Sequence, residues 1–164
     1  MRVADWNRGA LVGAGLASGA VQSAVGVVMY LVGMYFAPWS MGVSAGVLFL
    51  CIVVGTSWYT KHYLHNAISY PQAVRVGVLI SVGTGVVYAC YNVITISYLY
   101  PHFLDEVVRA RLADTGTAAQ GADAFATMRA QVSAASIAVP NLIRLSAFGT
   151  ALSLVTSLFL KRTS

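Results

Sequence analysis

The residues with most scope for chemistry sit late in one apolar stretch. SYPQAVRVGVLISVGTGVVYACYNVITISYLYP, from Ser69 to Pro101, keeps its polar groups for Tyr88, Tyr91, Asn92 and Thr95. Phenols, a carboxamide and a hydroxyl at helical spacing can bond one another, a neighbouring helix or a small polar cargo. Arg144, the one charge in the last apolar run, carries guanidinium donors that oxygens of Asn92 or Tyr91 can accept, so Tyr88, Tyr91, Asn92 and Arg144 form a candidate intramembrane polar cluster. The alternative for Arg144 is to reach the lipid headgroups from the start of its span.

Other candidates carry less. His62 and His65 stand three apart, a spacing that can bring two imidazoles together on a helix. No Cys, Asp or Glu lies near them, whereas zinc takes three or four protein ligands, so they are expected as interfacial polar residues and not as a metal site. Cys51 and Cys90 lie inside apolar runs and behave there as small hydrophobes. There is no Gly-rich turn followed by Lys-Ser/Thr, no HExxH, and no nucleophile beside a base with an orienting partner. We therefore expect no catalytic residue, no metal and no cofactor.

The elements that position these groups are membrane spans. Of the 164 residues 58% are hydrophobic and only 9% charged, with a mean hydropathy of +0.73, against about a quarter charged in a usual soluble chain. Four apolar runs are expected to cross the bilayer, at residues 9–37, 41–59, 72–100 and 142–160, within a single domain 1–164 of all-α class. The first run far exceeds the roughly 7–15 residues of a signal-peptide core, and so reads as a span. Ala37-Pro38-Trp39-Ser40 closes it, since Pro disfavours helix in the residue before it and Trp prefers the interface. Pro140 reads as the start or kink of the fourth span.

Small residues mark the faces where spans can approach closely. Gly9 and Gly13 form one row with Ala17, Gly15 and Gly19 another with Ser23, and Gly42 and Gly46 open the second span. Ala73, Gly77, Ser81 and Gly85 recur every fourth position of the third.

Between spans three and four, residues 102–138 form the only long polar stretch, with two helices expected in it. In the first, Phe103, Leu104, Val107, Val108 and Leu112 share a face, and Asp105 and Glu106 stand four and three residues before Arg109 on the polar side. In the second, Phe125, Met128, Val132, Ala135 and Val139 alternate at three and four. The two are expected to pack together above the membrane or to lie flat on it.

Charge sets the orientation. The head, the second loop and the tail hold Arg2, Arg8, Lys61, Arg75, Lys161 and Arg162 against Asp5, while the polar loop holds Arg109, Arg111 and Arg129 beside Asp105, Glu106, Asp114 and Asp123. Basic residues near short loops stay cytoplasmic, so both termini are expected inside and the helical loop outside. The net charge of +5 is scattered and lacks a cluster of cations with stacking aromatics, which argues against a nucleic-acid partner.

ISYPQAVRVGVLIS and YACYNVITISYLYPHFLDEVV together resemble the bacterial membrane family called domain of unknown function 4199. Its members similarly carry a loop of the form "isfgqAlkiGl", matched here by Ile68, Ser69, Gln72, Ala73 and Gly77. They also carry an exit of the form "Y..Yi.PdFle", matched by Tyr98, Pro101, Phe103 and Leu104. His102 stands where that pattern has an acid. The resemblance implies a four-span protein of the bacterial cytoplasmic (inner) membrane, and brings no activity with it. Three classes remain. The expected one is an accessory, structural or assembly subunit acting through helix packing, its partners being the lipid bilayer and other membrane subunits or itself as a homo-oligomer. The alternative is an oligomeric small transporter or channel, for which Gln22, Asn92 and Arg144 would line a path. A membrane enzyme comes last, since no interior Asp or Glu exists.

Overall fold

The computed structural model describes residues 7–65, 67–100, 102–114 and 121–160. Arg2, Asp5, Pro101, Lys161 and Arg162, used above for orientation and motif, lie outside the described residues. The elements among the described residues are helices: α1 (Arg8–Leu31), α2 (Ser40–Tyr63), α3 (Tyr70–Ile94) continued by a π-helical turn (Thr95–Leu99), α4 (Phe103–Asp114), α5 (Gly121–Gln131) and α6 (Ala134–Leu160). No β-strand occurs among the described residues. Four helical stretches, Arg8–Leu31, Ser40–Tyr63, Tyr70–Tyr98 and Ala134–Leu160, are long and apolar enough to cross a membrane.

Local chemistry sets the ends. The Asn7 side chain accepts from Ala10 N–H at 3.1 Å and starts α1. That helix stops at Leu31, six residues before the expected limit at Ala37, because Gly33 takes φ +71, a left-handed conformation that glycine adopts at little cost. Tyr35 then packs edge-on against Tyr30 and Phe36 in the turn that follows. The start of α3 is a capping box, in which Gln72 Oε1 accepts from both the Ser69 N–H and its hydroxyl at 3.0 Å. Pro71 falls in the first turn, where its missing N–H costs nothing.

The fourth apolar helix begins earlier than the expected Leu142. Ser133 and Ser136 cap each other at Ala134, with Ser136 N–H donating to Ser133 Oγ at 3.1 Å and Ser133 N–H to Ser136 Oγ at 2.9 Å. Pro140 then lies within α6 instead of opening it.

The chain packs as two compact units: Met1–Tyr88 with Leu142–Ser164, and Ala89–Asn141. In the first, α1 and α2 run antiparallel. Tyr59 lies by the Asn7 backbone, Cys51 by the Ser18 side chain, and Gln22 Nε2 donates to Ser44 Oγ, so partners fall in number along α2 as they rise along α1. Leu11, Tyr59, Ile68, Ala73, Val76 and Ile80 form a buried cluster in this unit.

In the second unit α4 and α5 pack through Val108, Leu112 and Val132, with Leu104, Val107, Phe125 and Met128 around them. Asp105 pairs with Arg129 of α5 (Nε to Oδ1, 2.7 Å) and not with Arg109 one turn on in α4, which stays exposed. A partner on the facing helix closes the pair across the contact, whereas the i,i+4 pair would only lie along the surface.

Candidate functional site

The most constructed surface in the molecule is a seam of small residues between α3 and α6. A methyl group on Gly77 would lie 2.8 Å from Ser153 Cβ, one on Gly149 would fall on the Ser81 side chain, and one on Gly85 would come within 3.0 Å of Leu142 Cδ1 and Ser146 Oγ. At Gly77 and Gly149 a Cβ would force its neighbours to move, and at Gly85 it would press tightly on them. The rows therefore mesh in antiparallel order, 77 with 153, 81 with 149 and 85 with 146. Tyr70 adds a hydrogen bond from its hydroxyl to the Leu154 carbonyl at 3.3 Å.

Two further helices meet α3 in the same way. Gly15 of α1 and Gly83 of α3 bring their backbones together, a Cβ on either lying 3.0–3.1 Å from the other's Cα, and a methyl on Gly19 would overlap Val87. On the α2 side, Gly55 receives the Ile80 side chain, with 2.8 Å between its Cδ1 and a Cβ at that glycine. In lipid, where apolar surface gains little from leaving its surroundings, such backbone approach supplies the dispersion contacts that hold helices together.

Three of the hydroxyls in these interfaces, unlike that of Ser146, are satisfied within their own helices. Ser81 donates to Gly77 O and Ser153 to Gly149 O at 2.7 Å, and Thr84 to Ile80 O at 2.8 Å. They act as small residues with their polarity turned back onto the helix, not as rungs bonded from one helix to the next.

The glycines singled out in the sequence divide into two sets. Gly15, Gly19, Gly77 and Gly85, with Ser81, are in contact, while Gly9, Gly13, Gly42 and Gly46 are exposed. No atom lies within 4 Å of a Cβ built at 13, 42 or 46.

The polar candidates are placed separately. Tyr88 and Asn92 are buried, Tyr91 is half-buried, and Arg144 is exposed. Tyr88 and Arg144 fall in the first compact unit, Tyr91 and Asn92 in the second. Asn92 Nδ2 and Thr95 Oγ1, the latter in the π-helical turn, are buried without a hydrogen-bond partner. His62 stacks on Trp58 with 5.2 Å between ring centroids, and its Nδ1 lies 2.9 Å from the Trp58 carbonyl. Among the described residues no group of three or more His, Cys, Asp or Glu side chains is placed to hold a metal ion.

Sequence reading missed the α6 half of the seam. Ser146, Gly149 and Ser153 were legible as small residues spaced three and four apart, but a serine in an apolar run attracts attention as a polar group first.

The stretch from Ile68 to Gly77 now has a physical role at each matched position. Ile68 is in the buried cluster, Ser69 and Gln72 cap α3, and Ala73 and Gly77 face inward. At the exit, Phe103 is buried, Leu104 packs beside the α4–α5 cluster, and Tyr98 is 82% exposed. A search of curated proteins and a search of solved structures each returned no match. A protein-family model, described as "Protein of unknown function (DUF4199)", matches residues 14–162. With that match over nearly the whole chain, the protein belongs to this family of helical, membrane-type proteins.

Proposed function

We propose that the protein is an accessory or assembly subunit of the bacterial cytoplasmic membrane that binds other membrane helices, a second copy of itself included, through α2. One observation carries this reading: Gly42 and Gly46 repeat the four-residue spacing used inside the molecule, yet face open space. Among the candidate spans α2 is also the least buried, 17% of its apolar window against 44% for the α3 span. A pair of glycines one turn apart on an open face is the arrangement that lets a partner backbone come close.

The test is purification from native membranes followed by native mass measurement. Stable oligomers or unrelated membrane partners that dissociate on Gly42→Leu and Gly46→Leu support the reading. A monomer without partners, or an assembly indifferent to both substitutions, sinks it.

The orientation in this proposal puts both termini in the cytoplasm and α4–α5 outside, supported by the asymmetry of Lys and Arg. In a Cys51→Ser, Cys90→Ser background, a membrane-impermeant thiol reagent on intact cells should label Thr117→Cys and spare Ser164→Cys and Asn66→Cys. The opposite pattern inverts the topology.

A second reading, an oligomeric small transporter or channel, has its own observation: Gln22 Oε1, Thr56 Oγ1 and Ser146 Oγ are buried and unpaired. Ion or solute flux from purified protein in vesicles would favour it over the first.

A further inference from the structure

A groove of about 550 Å³ runs between α1 and α2 on the side away from their α3 contacts at Gly15 and Gly19. Its α1 wall is Ala10, Gly13, Ala14 and Ala17, and its α2 wall includes Leu50, Val54 and Trp58. Ser18 and Cys51 also line it. In a bilayer such a groove does not stay empty. Its lining is almost wholly apolar, which suits a fatty acyl chain. From Ala10 to Val21 it runs about 16 Å at 1.5 Å per residue.

Charge distinguishes one end. Ala10 and Trp58 mark the end where Arg8 opens α1 two residues before Ala10 and Lys61 follows Trp58 by about one turn. Both cations are exposed, and neither makes an ion pair among the described residues. Apart from Asp5, three residues before Arg8, the sequence contains no Asp or Glu ahead of Asp105, and Lys61 has no acid within forty residues. Residues 32–39, at the opposite end of α1 and α2, carry no charge at all. The Trp58 indole, braced by His62, adds an interfacial donor at the basic end.

We propose that this groove is a binding site for an anionic glycerophospholipid, with one acyl chain between α1 and α2 and its phosphate beside Arg8, Lys61 and Trp58. The surface is distinct from the Gly42–Gly46 face, so either proposal stands if the other fails.

The experiment uses the full chain with Trp6→Phe and Trp39→Phe, leaving Trp58 as the only indole. The protein is placed in phosphatidylcholine vesicles containing dibrominated phosphatidylglycerol or dibrominated phosphatidylcholine as the quencher. Brominated phosphatidylglycerol should quench Trp58 at several-fold lower mole fraction. Arg8→Gln and Lys61→Gln should each reduce that preference by up to about fivefold. Gly13→Leu or Ala17→Leu, which fill the groove, should abolish it in protein whose helicity and elution are unchanged; two positions guard against one variant failing to fold. Equal quenching by both lipids overturns the proposal. So does a preference that survives both filling substitutions, which would reduce the effect to surface charge, or disulfide-linked dimers of a Gly13→Cys variant, which would seat a second copy there.

Discussion

The α3–α6 seam and the α4–α5 pair are both antiparallel helix contacts, yet they are made from opposite materials. The seam uses Gly77, Ser81 and Gly85 against Ser153, Gly149 and Ser146, and has almost no side-chain volume in it. The α4–α5 pair uses Val108, Leu112 and Val132 with Phe125 and Met128, and closes its edge with the Arg129–Asp105 ion pair. The orientation proposed above, with α4–α5 outside the bilayer, accounts for the difference. Where the surroundings are hydrocarbon, a large apolar side chain gains little by leaving them, and close backbones gain more. Where the surroundings are water, burial of apolar area contributes about 25 cal/mol per Å², so large side chains hold the pair. Hydrophobicity alone therefore ranks the spans wrongly: α2 is as apolar as α3 and far less buried, because its outer glycines have nothing to meet.

The largest predicted effect comes from adding volume to the seam. Gly149→Val places methyl groups onto Ser81, where neither helix can yield without moving backbone, and should destabilise the folded protein in detergent by about 3 kcal/mol or more. The same substitution at Gly42 meets open space and should leave the isolated chain within about 0.5 kcal/mol of the parent. Equal losses at the two positions would mean that glycine is needed for something other than close approach, and the contrast drawn above would fail.

Next comes removal of volume, which should matter most in the other region. Val108→Ala deletes two methyl groups from a site with no solvent exposure and should cost about 1–2 kcal/mol. Val108→Asp leaves a charge unpaired in the same contact and should speed proteolytic cleavage within residues 103–131 while sparing the spans. Ser153→Gly, by comparison, removes a hydroxymethyl group already bonded to its own helix and should cost under about 1 kcal/mol beyond the propensity penalty. If the valine substitutions are silent, α4 and α5 are independent solvated helices.

These features differ in how far they can be read from residues alone. The row Ala73, Gly77, Ser81 and Gly85 was legible because a period of four in small residues has one meaning in an apolar helix, and all four are buried. The apolar face of α4 was legible for the same reason at longer side chains, as were Phe125, Met128 and Val132, but the expected face breaks there: α5 ends at Gln131, and Ala135 and Val139 lie exposed in α6. What lay across from the α3 row was not legible, since Ser146, Gly149 and Ser153 become a matching surface only when two helices take a particular register. The termini of α1 and α6 depended on single residues read the other way. Gly33 lies inside the expected run 9–37, but its positive φ ends the helix, and Pro140, read as a start or a kink, falls inside a helix that Ser133 and Ser136 cap before it. The π-helical turn at Thr95 has no sequence signature of its own.

The smallest effect is the one that most cleanly separates the two materials. Arg129 and Asp105 are 37% and 34% exposed, so water screens their attraction, and Arg129→Met should cost only about 0.5 kcal/mol of α4–α5 stability. Its mark is salt dependence. Raising the ionic strength from about 0.01 to 1 M shortens the screening length from roughly 30 to 3 Å, which should weaken the parent pair and leave the Arg129→Met variant nearly unchanged, until the two are cleaved at the same rate. The seam, which contains no charge, should ignore salt altogether. A parent whose α4–α5 cleavage is equally insensitive to salt would show that the pair is held by its valines alone, and that Asp105 prefers Arg129 to Arg109 for geometric reasons without contributing to the fold.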